Sequence, residues 1–421
     1  MKTFEMTNFQ GAVQFLTAVG AGWQQMNNRF AAKIKSLSPD MKYFIAAVAM
    51  SAFGGSMLDS VFNNFLNESF GISSWQRTLL EIPRELPGVM VAFVSALFFF
   101  LPSRRLAALA AVVSFAGLLL LGVASRNYMM MLPWLFLYSL GQHTFMPLSS
   151  SIGMELARDG HTGRRLGQLN SVRNAAVVAG SFLVFLGFKF CHFTFAVSFV
   201  LASLSLISAA FFLYRMSPGN SHPARLHLKF YKEYRLCYWL CILFGTRKQI
   251  FLTFAPWVLV TVFNQPTAVI AWLLTIGAIA GIVTQPVIGR LIDLLGERTM
   301  LSVEAALLVI VCAGYGFSGS LFSEHTAFLI AAACYIADQM LISIGIARST
   351  YLKKIAIDSA HIMPTLSLAV SIDHVFSIAI ALCGGIIWNN IGYQAVFLFG
   401  ALIAVINLLS VRCIKTRFVE N

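Results

Sequence analysis

The chain has 421 residues, of which 58% are hydrophobic and 11% charged, whereas a soluble globular protein carries about 25% charged residues. A string of soluble domains is therefore excluded, and most of the chain must lie in lipid. The formal net charge of +13 would suit a nucleic acid on its own, but the placement of the charges argues for anionic lipid instead.

Residues 1–40 lack a basic region followed by an apolar core and a small-residue cleavage site, so no cleavable signal peptide is read there. Phe9, Val13, Leu16 and Trp23 recur at helical spacing and Arg29, Lys33 and Lys35 follow. That pattern predicts a helix in the headgroup region, with a disordered leader as the alternative. Apolar segments able to span a bilayer follow near 42–65, 79–101, 106–124, 131–153, 166–188 and 193–214, and then near 237–262, 268–288, 300–318, 326–348, 362–387 and 394–411. The expectation is an all-α integral membrane protein with twelve transmembrane helices in two sets of six. The first set occupies 41–214, a polar linker with Pro218, Gly219 and Pro223 occupies 215–236, the second set occupies 237–412, and 413–421 form a tail.

The basic residues fix the orientation. Arg77, Arg126 and Lys189 fall in outer loops and Arg84, Arg173, Arg247 and Lys248 within helices, which leaves 23 of the 30 Lys and Arg (30 − 3 − 4) on inner loops and tails. Both termini are expected in the cytoplasm, in a cell inner membrane. The two sets also echo each other. Asn67 and Trp75 recur as Asn264 and Trp272, and Tyr138 and Gln142 recur as Tyr335 and Gln339, all at an offset of 197.

The apolar run from Tyr238 to Phe263 is interrupted by Arg247 and Lys248. Starting the helix at Gln249 would leave only about 22 Å of helix for a core roughly 30 Å thick. Both cations are therefore expected at depth, where a charge costs at least about 2.5–3.5 kcal/mol and usually faces a wet cavity. The same offset carries Arg247 back to Met50, midway along the first helix.

Residues 289–298 read Gly-Arg-Leu-Ile-Asp-Leu-Leu-Gly-Glu-Arg. This resembles the loop signature of the major facilitator superfamily, Gly-x-x-x-Asp-(Arg/Lys)-x-Gly-(Arg/Lys)-(Arg/Lys). The resemblance implies a secondary transporter, with Gly289, Asp293 and Arg298 as a conformational latch: the glycine admits a close helix approach and the charges bridge inner helix ends. Leu294 stands where the pattern has a basic residue. The first-half copy is reduced to Pro102-Ser103-Arg104-Arg105, without the Gly or the Asp. The Gly-Pro pair and central arginine typical of drug/proton antiporters in this superfamily are missing as well.

Polar residues punctuate the other spans: Asp59 and Asn63; Glu81, Arg84 and Glu85; Gln142 and His143; Asn170, Arg173 and Asn174; Asp338 and Gln339; Asp373 and His374. Such groups are either interhelical glue or functional. Arg247, Lys248, Arg173, Asn170, Gln142 and Gln339 are the candidates for substrate binding, because arginine can hold an anion by paired charge-assisted hydrogen bonds. Asp59, Asp338, Asp373 and His374 are the candidates for proton coupling. Asp338 or Asp373 could instead pair with the cations when no solute is bound.

The sequence has no nucleophile elbow, no Gly-rich phosphate loop and no soluble segment long enough for a nucleotide-binding domain, so an enzyme or an ATP-driven pump is not expected. The seven cysteines form no Cys-x-x-Cys, and neither a cofactor nor a metal is indicated. The reading is a monomeric carrier of a small organic anion, coupled to protons. A carrier of amphipathic or lipid-like compounds and a non-transporting receptor or scaffold are the alternatives. Cysteine placed at Lys229 should react with a membrane-impermeant thiol reagent only after the membrane is breached; labelling from outside intact cells would reverse the topology.

Overall fold

A computed structural model of the chain describes residues 37–98, 100–156, 162–219, 230–358 and 361–414. The expected surface helix before residue 37, residues 220–229 of the 215–236 linker and the tail after 414 lie outside these. Helix α1 spans Pro39–Phe70; the Ser38 side chain accepts from the Met41 amide, Pro39 supplies a fixed first φ, and Gly71 ends the helix at φ 56°. A capping box of Ser73 and Gln76 opens the short α2, Ser74–Leu79, which runs almost directly into α3, Glu81–Leu97. Then come α4, Ser103–Ala124, α5, Tyr128–Glu155 with Asn127 as its cap, α6, Thr162–Phe190, and α7, Phe195–Arg215 with Thr194 as its cap.

The second stretch begins with α8, Arg235–Thr261. At 27 residues it is about 40 Å long, so Arg247 and Lys248 do fall in mid-course. Helix α9, Thr267–Leu321, has 55 residues, about 80 Å if straight, far more than a bilayer needs. It is divided at Gly296, whose φ of 78° no helical residue adopts, into two arms. The chain continues through α10, Glu324–Ile342, a 3-10 turn, α11, Ile346–Ile355, α12, Ile362–Asn390, and α13, Tyr393–Val411. Among the described residues eight helices are long and apolar enough to cross a membrane.

Lipid is as apolar as leucine, so helix association here rests on close packing and on polar contacts rather than on removing surface from water. Helices α4 and α5 show how closely they pack. A Cβ on Gly117 would lie 2.7 Å from Tyr138 Cα, and one on Gly141 would lie 2.6 Å from the Ser114 amide nitrogen. Apolar clusters divide along the chain. One is built wholly from residues between Tyr234 and Ile414, with Tyr315 stacked on Phe397 at 4.6 Å. Another lies wholly between Phe44 and Met216. A third, from Met57 to Leu206, takes in Trp257 and Ala271 from the second stretch. Outside, side chains such as Phe211, Val283 and Leu402 remain exposed, as a lipid-facing surface requires.

Candidate functional site

The two cations of α8 turn to different partners, because neighbouring residues on a helix diverge by about 100°. Arg247 is 2% exposed. Its guanidinium donates to Asp338 Oδ1 on α10 and, at 3.1 Å, to Glu304 Oε1 on the second arm of α9. The other oxygen of Glu304 accepts from Arg348 on α11 at 2.9 Å, and Arg348 Nε donates to the Leu240 carbonyl at 3.3 Å. The Phe244 ring packs against both guanidinium groups, at 5.3 Å for Arg247 and 4.1 Å for Arg348. Two cations and two carboxylates thus cancel inside one closed cluster. Lys248 donates to Asp373 Oδ2 on α12 at 2.6 Å. Gly245 makes room for this pair, since a Cβ there would collide with the Asp373 carboxylate.

A second cluster sits where α2 meets α3. Arg77, counted with the outer loops on sequence grounds, is fully buried and bridges Glu81 at 2.6 Å and Asn63 Oδ1 at 3.0 Å. Arg84 reaches Glu81 at 3.2 Å and Glu85 at 3.5 Å. Gln249 of α8 donates to Glu81 Oε2 at 3.0 Å, and His374 of α12 meets Glu85 Oε2 at 2.8 Å. The spacing of Arg77 and Glu81, four apart in the chain, is a signal that the sequence does carry.

Beside this cluster lies a cavity of about 350 Å³, lined by α1, α3, α5 and α6, with Leu252 of α8. Asp59, Gln142, Asn170 and Arg173 all face it, as do Arg84, Glu85, Tyr138 and His143. Among the described residues neither Asp59 nor Arg173 belongs to a contact ion pair, although both line the same wall. The cavity extends to Ser149 and Ser150 on α5 and Leu169 on α6. Beyond its other end, Asn64 donates to the Gln265 carbonyl at 2.9 Å and Thr78 packs against Gly385.

The candidate residues therefore separate. Asp59, Gln142, Asn170 and Arg173 share the cavity. Arg247 and Lys248 do not line it; they are held by carboxylates, Asp338 and Asp373 among them. Gln339 is half-buried against Gly277 of α9, and His374 pairs with Glu85. The contacts expected of the latch also differ. A Cβ on Gly289 would meet nothing within 4 Å, so no close helix approach occurs there. Asp293 is exposed, and the ion pair at that end joins Glu297 to Lys354 at 2.9 Å. At 102–105, where the signature is reduced, Arg104 nevertheless closes onto Asp40 at 2.6 Å and Glu155 at 2.8 Å. Glu304 and Arg348 were not among the candidates. Glu304 stands in an apolar segment and is marked by the sequence as an intramembrane acid, whereas Arg348 ends such a segment and counts with the inner loops.

A family model described as Major Facilitator Superfamily matches residues 44–361. Solved structures with the same fold include a point mutant of the nucleoside transporter NupG, at TM-score 0.71 and 11% identity, covering 90% of this chain and 100% of that one. A POT family transporter in complex with 5-aminolevulinic acid is similar at TM-score 0.71 and 12% identity, covering 89% and 97%. A D-xylose-proton symporter is similar at TM-score 0.67 and 14% identity, covering 89% and 97%. No curated protein matches the sequence significantly.

Glu304 is the shared member of the Arg247–Arg348 cluster, so its loss strands two buried cations at once. Glu304→Gln should destabilise the protein by about 3–5 kcal/mol, against a smaller loss for Lys354→Gln at the half-exposed pair. Thermal unfolding in detergent measures the difference, and equal midpoints would refute the account.

Proposed function

We propose, for a chain that belongs to the Major Facilitator Superfamily, that the cavity carries a small organic anion across the membrane by alternating access, coupled to protons. The observation that carries this reading is the cavity wall itself. It holds one guanidinium, Arg173, and one carboxylate, Asp59, that are unpaired among the described residues, with the amides of Asn170 and Gln142 beside them. Arg173 offers two parallel donors to a carboxylate or phosphate, and the amides supply hydrogen bonds that orient the rest of the solute. Asp59, reachable from the same space, is assigned the proton. Asp338, Asp373 and His374 are engaged in pairs, and Arg247 with Lys248 brace the second half.

On this reading the membrane is crossed twelve times. Helices α2 and α3 make one pass, the two arms of α9 make two, and α10 with α11 makes one. Residues 41–214 and 237–412 are the two halves, a division supported by apolar clusters that mostly keep to one side of the linker. With both termini inside, Ser149, Ser150 and Leu169 lie toward the cytoplasm, so the cavity opens inward. Asp293, exposed while the cavity is open to that side, is assigned to engage as the inner ends close. Asp293→Asn should then slow turnover in liposomes while substrate affinity stays within about threefold; a large loss of affinity at unchanged turnover would refute this.

Arg173 is the sharper test. A thermal-shift screen of purified protein against organic anions, cations and neutral solutes identifies a ligand, because binding to the folded state raises the midpoint. Losing a charge-assisted contact costs about 1.5–3 kcal/mol, so Arg173→Gln should weaken that ligand roughly 10- to 150-fold and Arg173→Lys less. Proton uptake driven by the ligand in liposomes should fall with Asp59→Asn. Binding and transport by Arg173→Gln equal to the parent's would remove the anion reading, and a ligand that binds without ever crossing would indicate a receptor.

A further inference from the structure

Glu85, His143 and His374 come from three helices, α3, α5 and α12. Each offers one ligand atom, and these atoms all lie within 4.8 Å of one another. We propose that they form a site for a first-row transition-metal ion of the Zn²⁺ class, which ties α12 to α3 and α5. No sequence spacing announces it, since 58 residues separate Glu85 from His143 and 231 separate His143 from His374 (143 − 85 and 374 − 143). The proposal stands apart from the assignment of Arg173 and Asp59.

The geometry of His143 carries the argument. Its Nδ1 lies 2.9 Å from the Ser139 carbonyl oxygen and 2.9 Å from Ser139 Oγ. The Ser139 hydroxyl spends its hydrogen on the Arg84 carbonyl. Both neighbours of Nδ1 therefore accept, Nδ1 holds the proton, and Nε2 is left with its lone pair. A backbone carbonyl fixing one imidazole nitrogen so that the other is free is how metal-ligating histidines are usually held. The His143 ring stands edge-on to His374, with centroids 4.9 Å apart and planes at 74°.

The other two ligands are equally positioned. His374 sets Nδ1 2.8 Å from Glu85 Oε2. Its ring lies over Gly88, one turn along α3 from Glu85, where a Cβ would be 2.7 Å from His374 Cγ; only glycine leaves this space. A hydrogen bond between Glu85 and His374 would need no third partner, yet a ring nitrogen of His143 lies within 4.8 Å of the ligand atoms of both. Bonds of about 2.0–2.1 Å set tetrahedral ligand atoms roughly 3.3 Å apart, so small side-chain rotations close the site. Arg84, 3.5 Å from Glu85, keeps its contact with Glu81 at 3.2 Å when a metal takes the Glu85 carboxylate. Glu85 and His143 also face the cavity, which leaves a fourth position for water or an anion.

Full-length protein, freed of any affinity tag and treated with chelator, is titrated with Zn²⁺ alone by calorimetry and with Co²⁺ alone by visible absorption. One equivalent should bind saturably, and Co²⁺ should give the intense bands of tetrahedral coordination. Glu85→Gln, His143→Gln and His374→Gln should each weaken Zn²⁺ at least about tenfold, the loss that removal of even an outer partner causes. His361→Gln, at a histidine stacked on Tyr231 away from the cluster, should stay within about twofold. No saturable uptake by the parent, or uptake unchanged in the three variants, overturns the site. If a variant does not fold, the parent's Co²⁺ spectrum decides, and an unaltered six-coordinate spectrum overturns the proposal.

Discussion

A charge buried in a membrane protein must find its counter-charge inside the protein, and this constraint organises the chain from end to end. Arg247 and Arg348 are matched by Glu304 and Asp338, Lys248 by Asp373, and Arg77 and Arg84 by Glu81 and Glu85. Most of these matches join helices that are distant in sequence, so the pairs also fix how the helices are arranged. Where packing alone would allow helices to slide or rotate in lipid, a pair that can be satisfied in only one register sets that register. Such clusters need not add net stability, since replacing all members by apolar groups can be neutral; breaking one member is what is costly.

The same accounting isolates the cavity. Once the closed clusters are set aside, Asp59 and Arg173 are left facing a common space. Their charges are tolerated because water or solute can reach them, which is the circumstance in which intramembrane charges persist. The wall is built almost wholly by residues before the linker, while the heaviest ionic bracing lies after it. The described ion pairs and the cavity thus draw on largely different stretches of the chain.

Much of this is legible in the residues alone. Helix content, the apolar spans and the mid-helix position of Arg247 follow from hydropathy and helix rise, whereas the loop expected at 289–298 is helical except for the break at Gly296. Gln142, Asn170, Arg173 and Asp59 stand out as intramembrane polar residues, but their convergence on one cavity is a matter of tertiary packing that no local pattern reports. The partners of Arg247 are hidden for the same reason, since Glu304 and Asp338 lie 57 and 91 residues away. Arg77 and Arg348 count with loops on hydropathy because each sits at the edge of an apolar run. Hydropathy marks where lipid ends, but not whether a long side chain at that edge turns outward to water or inward to an acid.

The pairs differ in what a conformational change would cost. Arg247, Glu304 and Asp338 are at most 2% exposed, and separating any of them without replacement costs about 3–5 kcal/mol. Lys248 and Asp373, with side chains 23% and 18% exposed, and His374 and Glu85, at 13% and 9%, are less enclosed. A less enclosed pair loses less when its members part, so these pairs separate at lower cost. They are also the pairs made by α12, which packs against α3 on one side and α8 on the other. On the proposed alternating-access reading, the contacts of α12 are the ones that cost least to break, and those around Glu304 cost most. The proposed metal site lies on this seam, where one ion contacting three helices would oppose their separation more strongly than the hydrogen bond it replaces.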